Sequence, residues 1–378
     1  MRDRDVYRMS TQPSAVVCAL RFEIRSDVSR NFLRRTFMWR VFTGLEQGPE
    51  WHSQCRVRMS RLFAGVSPAS TSRPVSTIVR AAMRGEASKD ATRTIVLVGD
   101  VHGHASKLRR LFRNLRTRLG SKRFDKATVV FLGDLCDRGP DTKSVFEFIA
   151  SELPEKHPAM DVRVLAGNHD FAMGCFVRAT AGGVAADDWT NSRRPEPPLW
   201  RDDRGDTHVN MHLQGRRWGG SAEDSANAFE SERTFHSYGV DAGDREKLLA
   251  ALPEKHKALL ASMEFVVEID GVRDDDNPKV DALIAVHAGL ESDVPVNEQL
   301  VALRTKVETT QWVEGLQGRA NVLPAHPELP ENVLVVSGHH GFVKLDKNRI
   351  IVDGCAGHED RPLTAVVLPE RALVDDSS

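Results

Sequence analysis

Long apolar runs are missing from this 378-residue chain: nothing in it approaches the roughly 18 uninterrupted apolar residues that a membrane span requires. Paired cysteines are missing too. Cys18, Cys55, Cys136, Cys175 and Cys355 are odd in number, scattered, and form no CxxC pair. That speaks against a disulfide framework or a zinc–thiolate site and for reduced thiols in a reducing compartment. Acidic residues are absent between Trp51 and Gly85, so the net charge of −1 conceals an asymmetry. Residues 1–92 hold 16 Lys and Arg against 8 Asp and Glu, which leaves 36 against 45 for the remainder. An acidic body without a basic stripe argues against a nucleic-acid partner.

The basic segment carries Arg56, Arg58, Arg61, Arg73, Arg80 and Arg84 among many Ser and Thr. Arg-rich, Ser-rich, acid-poor composition marks an organelle transit peptide. A targeting or interaction arm is one reading of residues 1–92; a true start at Met59 or Met83 is the other. The arm is expected to be mostly disordered, with one helix around residues 31–42.

Order begins at Thr94. Apolar runs at Thr94–Val98, Thr128–Leu132, Val162–Ala166, Ala282–Val286 and Val333–Val336 predict buried strands, and Arg349–Val352 and Leu363–Leu368 predict two more. Leu108, Leu111, Phe112, Leu115 and Leu119 recur at helical spacing, and residues 143–153 and 245–260 also read as helices. Strand, polar loop and helix in alternation predict an α/β domain over residues 93–370, with ligands beyond the carboxyl ends of strands. Residues 171–281 read as an insertion that shapes the site, and residues 371–378 as a tail.

Five polar clusters follow strands directly: Gly99-Asp100-Val101-His102-Gly103, Gly133 to Gly139 (Gly-Asp-Leu-Cys-Asp-Arg-Gly), Gly167-Asn168-His169-Asp170, Val286-His287-Ala288-Gly289 and Ser337-Gly338-His339-His340-Gly341. Each alone is ordinary: a turn with a surface histidine, a helix cap, a hydrogen-bonded core imidazole. Together they supply carboxylates, an amide and imidazoles in numbers beyond the needs of one tetrahedral ion. Such oxygen and nitrogen donors suit manganese, iron or zinc, and two ions sharing one carboxylate account for them.

These motifs resemble the signature of the calcineurin-like metallophosphoesterases, and the GDxxDRG and GNH forms resemble its PPP protein phosphatase branch. The strings FLGDLCDRGPDT, LPEKHP, LAGNHDFA, MHLQGRRW, IAVHAGLE and VVSGHHG are most similar to the plant Rhizobiales-like phosphatases of class 2, which are tyrosine-specific. The resemblance implies a four-layer sandwich of two mixed β-sheets flanked by helices. It implies two divalent ions, manganese first: one held by Asp100, His102 and the bridging Asp134, the other by Asp134, Asn168, His287 and His339. His169 would donate a proton to the leaving group, oriented by Asp137, and Arg138 would grip the phosphate. The implied partner is a phosphorylated protein, phosphotyrosine-containing, in the cytoplasm, with no membrane.

The chain departs from that branch at several points. Asp170 stands where Glu is usual, and Ile351 to Gly357 replaces the SAPNYC-like loop of the Ser/Thr-directed enzymes. A second phosphate-binding arginine has no clear match; Arg216 or Arg217 could serve. His340 is expected to lie outside the ligand set, and Cys136 to be a small buried side chain. Competing functions are a Ser/Thr phosphatase, a dinucleoside polyphosphate hydrolase and a phosphopeptide-binding pseudophosphatase; the intact acid, base and ligand set speaks against the last.

Overall fold

Strands that are apolar on both faces require cover on both faces. The computed structural model of the protein describes residues 93–177, 218, 229–305 and 310–377, and shows how that cover is arranged. Along the chain the strands are β1 (Ile95–Val98), β2 (Thr128–Phe131), β3 (Asp161–Val164), β4 (Val267–Asp270), β5 (Ala282–Ala285), β6 (Val333–Ser337), β7 (Val343–Asp346), β8 (Arg349–Val352), β9 (Thr364–Leu368) and β10 (Ala372–Asp375). They form two five-stranded mixed sheets, in the orders β10-β9-β1-β2-β3 and β4-β5-β6-β8-β7.

Alternation along each strand divides the core in two. Ile95, Leu97, Val130 and Leu132 of the first sheet share one buried cluster with Leu283, Ala285, Leu334, Val336, Ile350 and Val352 of the second. Val96, Val98, Val129 and Phe131, on the opposite face, pack with helical residues such as Leu108, Leu111 and Leu115, and Ile284 and Val286 belong to the same outer cluster as Leu300 and Leu303. Helix, sheet, sheet and helix make four layers. This is the expected sandwich.

The helices are α1 (Ala105–Phe124), α2 (Thr142–Glu147), α3 (Leu153–Lys156), α4 (Asn168–Phe176), α5 (Glu232–Ser237), α6 (Arg245–Ala251), α7 (Glu254–Ser262), α8 (Val296–Thr305) and α9 (Thr310–Gln317). Two predicted helices are divided. A wider π turn over Phe148–Glu152 separates α2 from α3, where Pro154 has no N–H to donate to the preceding turn. Pro253 separates α6 from α7 by forcing Leu252 into an extended conformation. Among the described residues, no helix is long and apolar enough to cross a membrane.

Two boundaries move. β4 lies inside the span read as an insertion, and it pairs with β5, so the sandwich resumes before residue 281. The span read as a tail supplies β10, paired with β9. The strands that were not anticipated, β4, β7 and β10, are all sheet edges, where half-exposed polar residues interrupt the apolar run. The arm over residues 1–92 with its expected helix, as well as Arg216 and Arg217, lies outside the described residues.

At the end of the sandwich away from the polar clusters, Arg371 links the sheets. Its Nη2 meets Asp274 Oδ2 at 2.6 Å, and its Nη1 and Nη2 each reach a carbonyl, Asp346 O and Lys347 O, at 2.8 Å. Both side chains are buried, so removing one partner strands a charge. Asp274→Ala should lower the unfolding free energy by about 3–5 kcal/mol, read by urea denaturation, with the metal content of the folded protein unchanged.

Candidate metal centre

All five polar clusters emerge at the carboxyl ends of β1, β2, β3, β5 and β6, and these ends converge because β1, β2 and β3 are mutually parallel, as are β5 and β6. Asp134 stands at the meeting point. It is buried, and its Oδ2 lies 3.4 Å from His287 Nε2, 3.6 Å from His102 Nε2 and 4.0 Å from His169 Nε2. Its Oδ1 accepts the His169 N–H at 3.0 Å. Burial opposes its charge, but the imidazoles of His287, His169 and His102 outweigh burial and hold the carboxyl well below its usual range. A Cβ on Gly167 would come within 2.0 Å of Asp134 Oδ1, so only glycine permits this approach.

Two buried triads with ligand spacing share this carboxylate: His102, Asp134 and His169, and Asp134, His287 and His339. Each imidazole has one nitrogen committed elsewhere. His102 Nδ1 meets Cys136 O at 3.0 Å, His287 Nδ1 meets Leu132 O at 2.6 Å, His339 Nε2 meets Gln317 O at 3.2 Å, and His169 Nδ1 meets Asp137 Oδ2 at 2.8 Å. An oriented imidazole with its far nitrogen tied to a carbonyl or carboxylate is the arrangement of a metal ligand. Arg138 can only donate, so His102 Nε2 at 2.8 Å and His169 Nε2 at 3.1 Å are unprotonated acceptors. Burial and Arg138 push His102 down to about 3, which keeps its nitrogen free of protons.

The cluster fits divalent cations on its own chemistry. His287 Nε2 and Asn168 Oδ1 are buried without a hydrogen-bond partner. Each such orphan costs about 1–3 kcal/mol, a cost that a bound cation would relieve. Asp100 lies beside the triads without joining either; its carboxylate accepts the His339 N–H, both distances 3.1 Å. Burial, Asp353 and Asp134 raise it well above the usual carboxylate range, a repulsion that cations would also offset.

The Asp137–His169 pair is fully buried. Asp137 also accepts from Trp218 Nε1 at 2.7 Å and from Thr234 Oγ1 at 2.7 Å. Burial raises the Asp137 carboxyl well above its usual range, against the pull of those two donors, and burial holds His169 well below its own. Trp218 ends the string MHLQGRRW, in which the sequence assigned a candidate role to Arg216 or Arg217 and none to the tryptophan; its contact with Asp137 spans 81 positions.

The remaining candidates fall into place. Cys136 is buried with its thiol pushed up by burial, which leaves it protonated and inert. His340 Nε2 meets Ala288 O at 2.7 Å, and burial pushes the ring down to about 4. Asp170 binds the N–H groups of Leu135 at 2.9 Å and Gly167 at 3.0 Å, bracing two clusters with a shorter side chain than Glu. Two residues went unremarked in the sequence. Arg319 Nη1 donates to His339 O at 2.6 Å, and Asp353 takes the Gly341 N–H at 2.6 Å and the Cys355 N–H at 2.8 Å. Strain concentrates here as well. Of the eight non-glycine residues with positive φ among the described residues, His102, Asp134, Asp137, Arg138 and His339 belong to the clusters.

Residues 93–243 match the model of the calcineurin-like phosphoesterase family, a span that contains Asp100, His102, Asp134, Asp137, Arg138, Asn168 and His169 but stops short of His287 and His339. No curated protein matches the chain. Among solved structures, it is similar to a cold-active protein-tyrosine phosphatase of a Shewanella species, at TM-score 0.39 and 14% identity over 76% of this chain and 80% of that one. It is also similar to a protein serine/threonine phosphatase of Saccharomyces cerevisiae, at TM-score 0.35 and 15% identity over 77% and 81%. Likenesses of this strength bear on neither mechanism nor substrate.

Trp218→Phe tests the buried pair. Losing a donor to a charged acceptor should cost about 1.5–3 kcal/mol of stability, read by urea denaturation. Trp218 favours the ionised carboxylate, so its loss moves Asp137 further up. The limb of the pH–rate profile that reports on the pair should shift to higher pH; an unmoved limb would separate Asp137 from the titrating step.

Proposed function

We propose that this chain, whose residues 93–243 match the calcineurin-like phosphoesterase model, is a metal-dependent phosphoesterase and a protein phosphatase, acting on phosphotyrosine before phosphoserine or phosphothreonine. The observation that carries the hydrolytic reading is the sharing of Asp134 by two buried triads. Asp100, His102 and Asp134 would hold one divalent cation, and Asp134, Asn168, His287 and His339 the other, with manganese the first candidate. Such a pair supplies Lewis acidity: it neutralises charge on phosphoryl oxygens and makes water a nucleophile near neutral pH.

The chain's own groups do the rest. Arg138 presents a planar fork between His102 and His169, a geometry suited to two oxygens of one phosphate. His169, aligned by Asp137, Trp218 and Thr234, is placed to protonate the departing oxygen once its Nε2 carries a proton. What supports the tyrosine reading is the resemblance in the longer strings, LPEKHP and MHLQGRRW among them. The same resemblance supports a cytoplasmic enzyme; organelle import of a fluorescent fusion to residues 1–92 in plant or algal cells would overturn that placement.

The deciding assay uses the full chain with manganese against phosphotyrosine, phosphoserine and phosphothreonine peptides and a dinucleoside tetraphosphate. The expected result is highest kcat/KM on the phosphotyrosine peptide; faster turnover of the dinucleotide would displace the protein-phosphatase reading. Two variants separate ligand from acid. Asp134→Asn should lose bound metal and nearly all activity. His169→Asn should keep both metals and lose about 10²–10⁴-fold in kcat, less for nitrophenyl phosphate than for alkyl phosphates. If elemental analysis shows one metal missing from His169→Asn, His169 belongs to the ligand set.

A further inference from the structure

Lys107, on the first turn of α1, is buried and makes no ion pair among the described residues. A buried ammonium is expensive unless each of its N–H groups is satisfied. Here all three are used on one loop: Nζ donates to Ala356 O at 3.2 Å, His358 O at 2.7 Å and Arg361 O at 2.8 Å. The loop connects β8 to β9, and three of its carbonyls converge on a single point charge.

The residue between the first two of these carbonyls is Gly357, and it lies against the phosphate fork. A Cβ there would stand 2.9 Å from Arg138 Cδ, 3.0 Å from His102 Cδ2 and 3.3 Å from Arg138 Nη1. Both ends of the loop are tied independently. Asp353 holds the N–H groups of Gly341 and Cys355, and Asp376 takes the Leu363 N–H at 2.8 Å while pairing with Arg110. Between these ends the loop makes its own turn bonds, His358 N–H to Cys355 O at 2.9 Å and Arg361 N–H to His358 O at 3.2 Å, and Lys107 ties this middle, where Gly357 meets Arg138, to α1.

We propose that Lys107 is a positioning residue for phosphate binding: by gathering the carbonyls of Ala356, His358 and Arg361 it presses Gly357 onto the Arg138 side chain and holds the guanidinium in one orientation. This rests on the phosphatase reading, because Arg138 needs a phosphate to grip. An arginine held in place beforehand loses less side-chain freedom when it binds. The benefit therefore falls on affinity and not on the chemical step.

The test uses full-length protein loaded with manganese, with inorganic phosphate as the probe in calorimetry and as an inhibitor of nitrophenyl phosphate hydrolysis. Lys107→Met should raise the Kd of phosphate and the KM about 3- to 10-fold, with kcat within about twofold and metal content unchanged. Gly357→Ala approaches from the other side: its Cβ displaces Arg138, and phosphate should weaken similarly in a protein whose Lys107 is intact. In an Arg138→Lys background, Lys107→Met should change phosphate affinity no further, because the fork it orients is gone. Independent, additive losses from Lys107→Met and Arg138→Lys would overturn the proposal, as would a folded Lys107→Met with wild-type phosphate affinity. If Lys107→Met does not fold, the cycle between Gly357→Ala and Arg138→Lys decides, and additivity there counts equally against it. Failure of the phosphatase reading looks different: wild-type protein that neither hydrolyses the ester nor binds phosphate removes both.

Discussion

One buried carboxylate, that of Asp134, sets the terms for everything around it. With Oδ2 facing three imidazole nitrogens at 3.4–4.0 Å and Oδ1 on the His169 backbone, it leaves no room for alternatives. Gly167 must lack a side chain, and Asp134 itself must accept φ +51, a conformation L-residues avoid. Positive φ recurs at His102, Asp137, Arg138 and His339, each at a cost of about 1–3 kcal/mol. Such strain persists only where surrounding structure over-determines it.

The sandwich supplies that determination. Its two sheets interlock through one shared apolar layer, so the ends of β1, β2 and β3 cannot shift relative to those of β5 and β6 without opening the core. The loops of one sheet reach the site residues of the other directly: His287 donates to Leu132 O beyond β2, and His339 donates through its backbone to Asp100 beyond β1. Rigid elements thus hold polar groups at fixed separations. The mouth is held more lightly. Arg138, half-buried between two rings, is flanked by a loop whose centre is organised by a single lysine.

The composition of the cluster has a second consequence, for protons. Every imidazole that faces Asp134 has its other nitrogen tied to Cys136 O, Leu132 O, Gln317 O or Asp137, so its tautomer is set by position alone. His169 differs from the others in that its tie is a carboxylate. A ring tied to a carbonyl must keep its proton there, whereas one tied to Asp137 shares it with a group that burial has raised toward neutrality. In the proposed function that distinction supports an acid–base role for His169, which also lies in one of the two candidate metal triads.

The sequence by itself determined the strands of the sheet interiors, because a strand covered on both faces is an uninterrupted apolar run, and it determined which loops are polar, because each cluster follows such a run directly. His102, Asp134, His169, His287 and His339, which the fold brings into the two triads, were legible as strand-end residues for this reason, as were Asp100 and Asn168 beside them. Edge strands were not: Val343–Asp346 and Ala372–Asp375 are half-exposed, so their polar residues hide the pattern. Only the tertiary structure decided which nitrogen of each histidine faces Asp134, that Trp218 serves Asp137 and that Lys107 serves the loop at Gly357. The contacts of Trp218 and Lys107 join residues 81 to 254 positions apart. Hydrophobic periodicity reports only the environment of a few neighbouring residues, whereas a hydrogen bond across the fold depends on where the packed sheets bring distant loops.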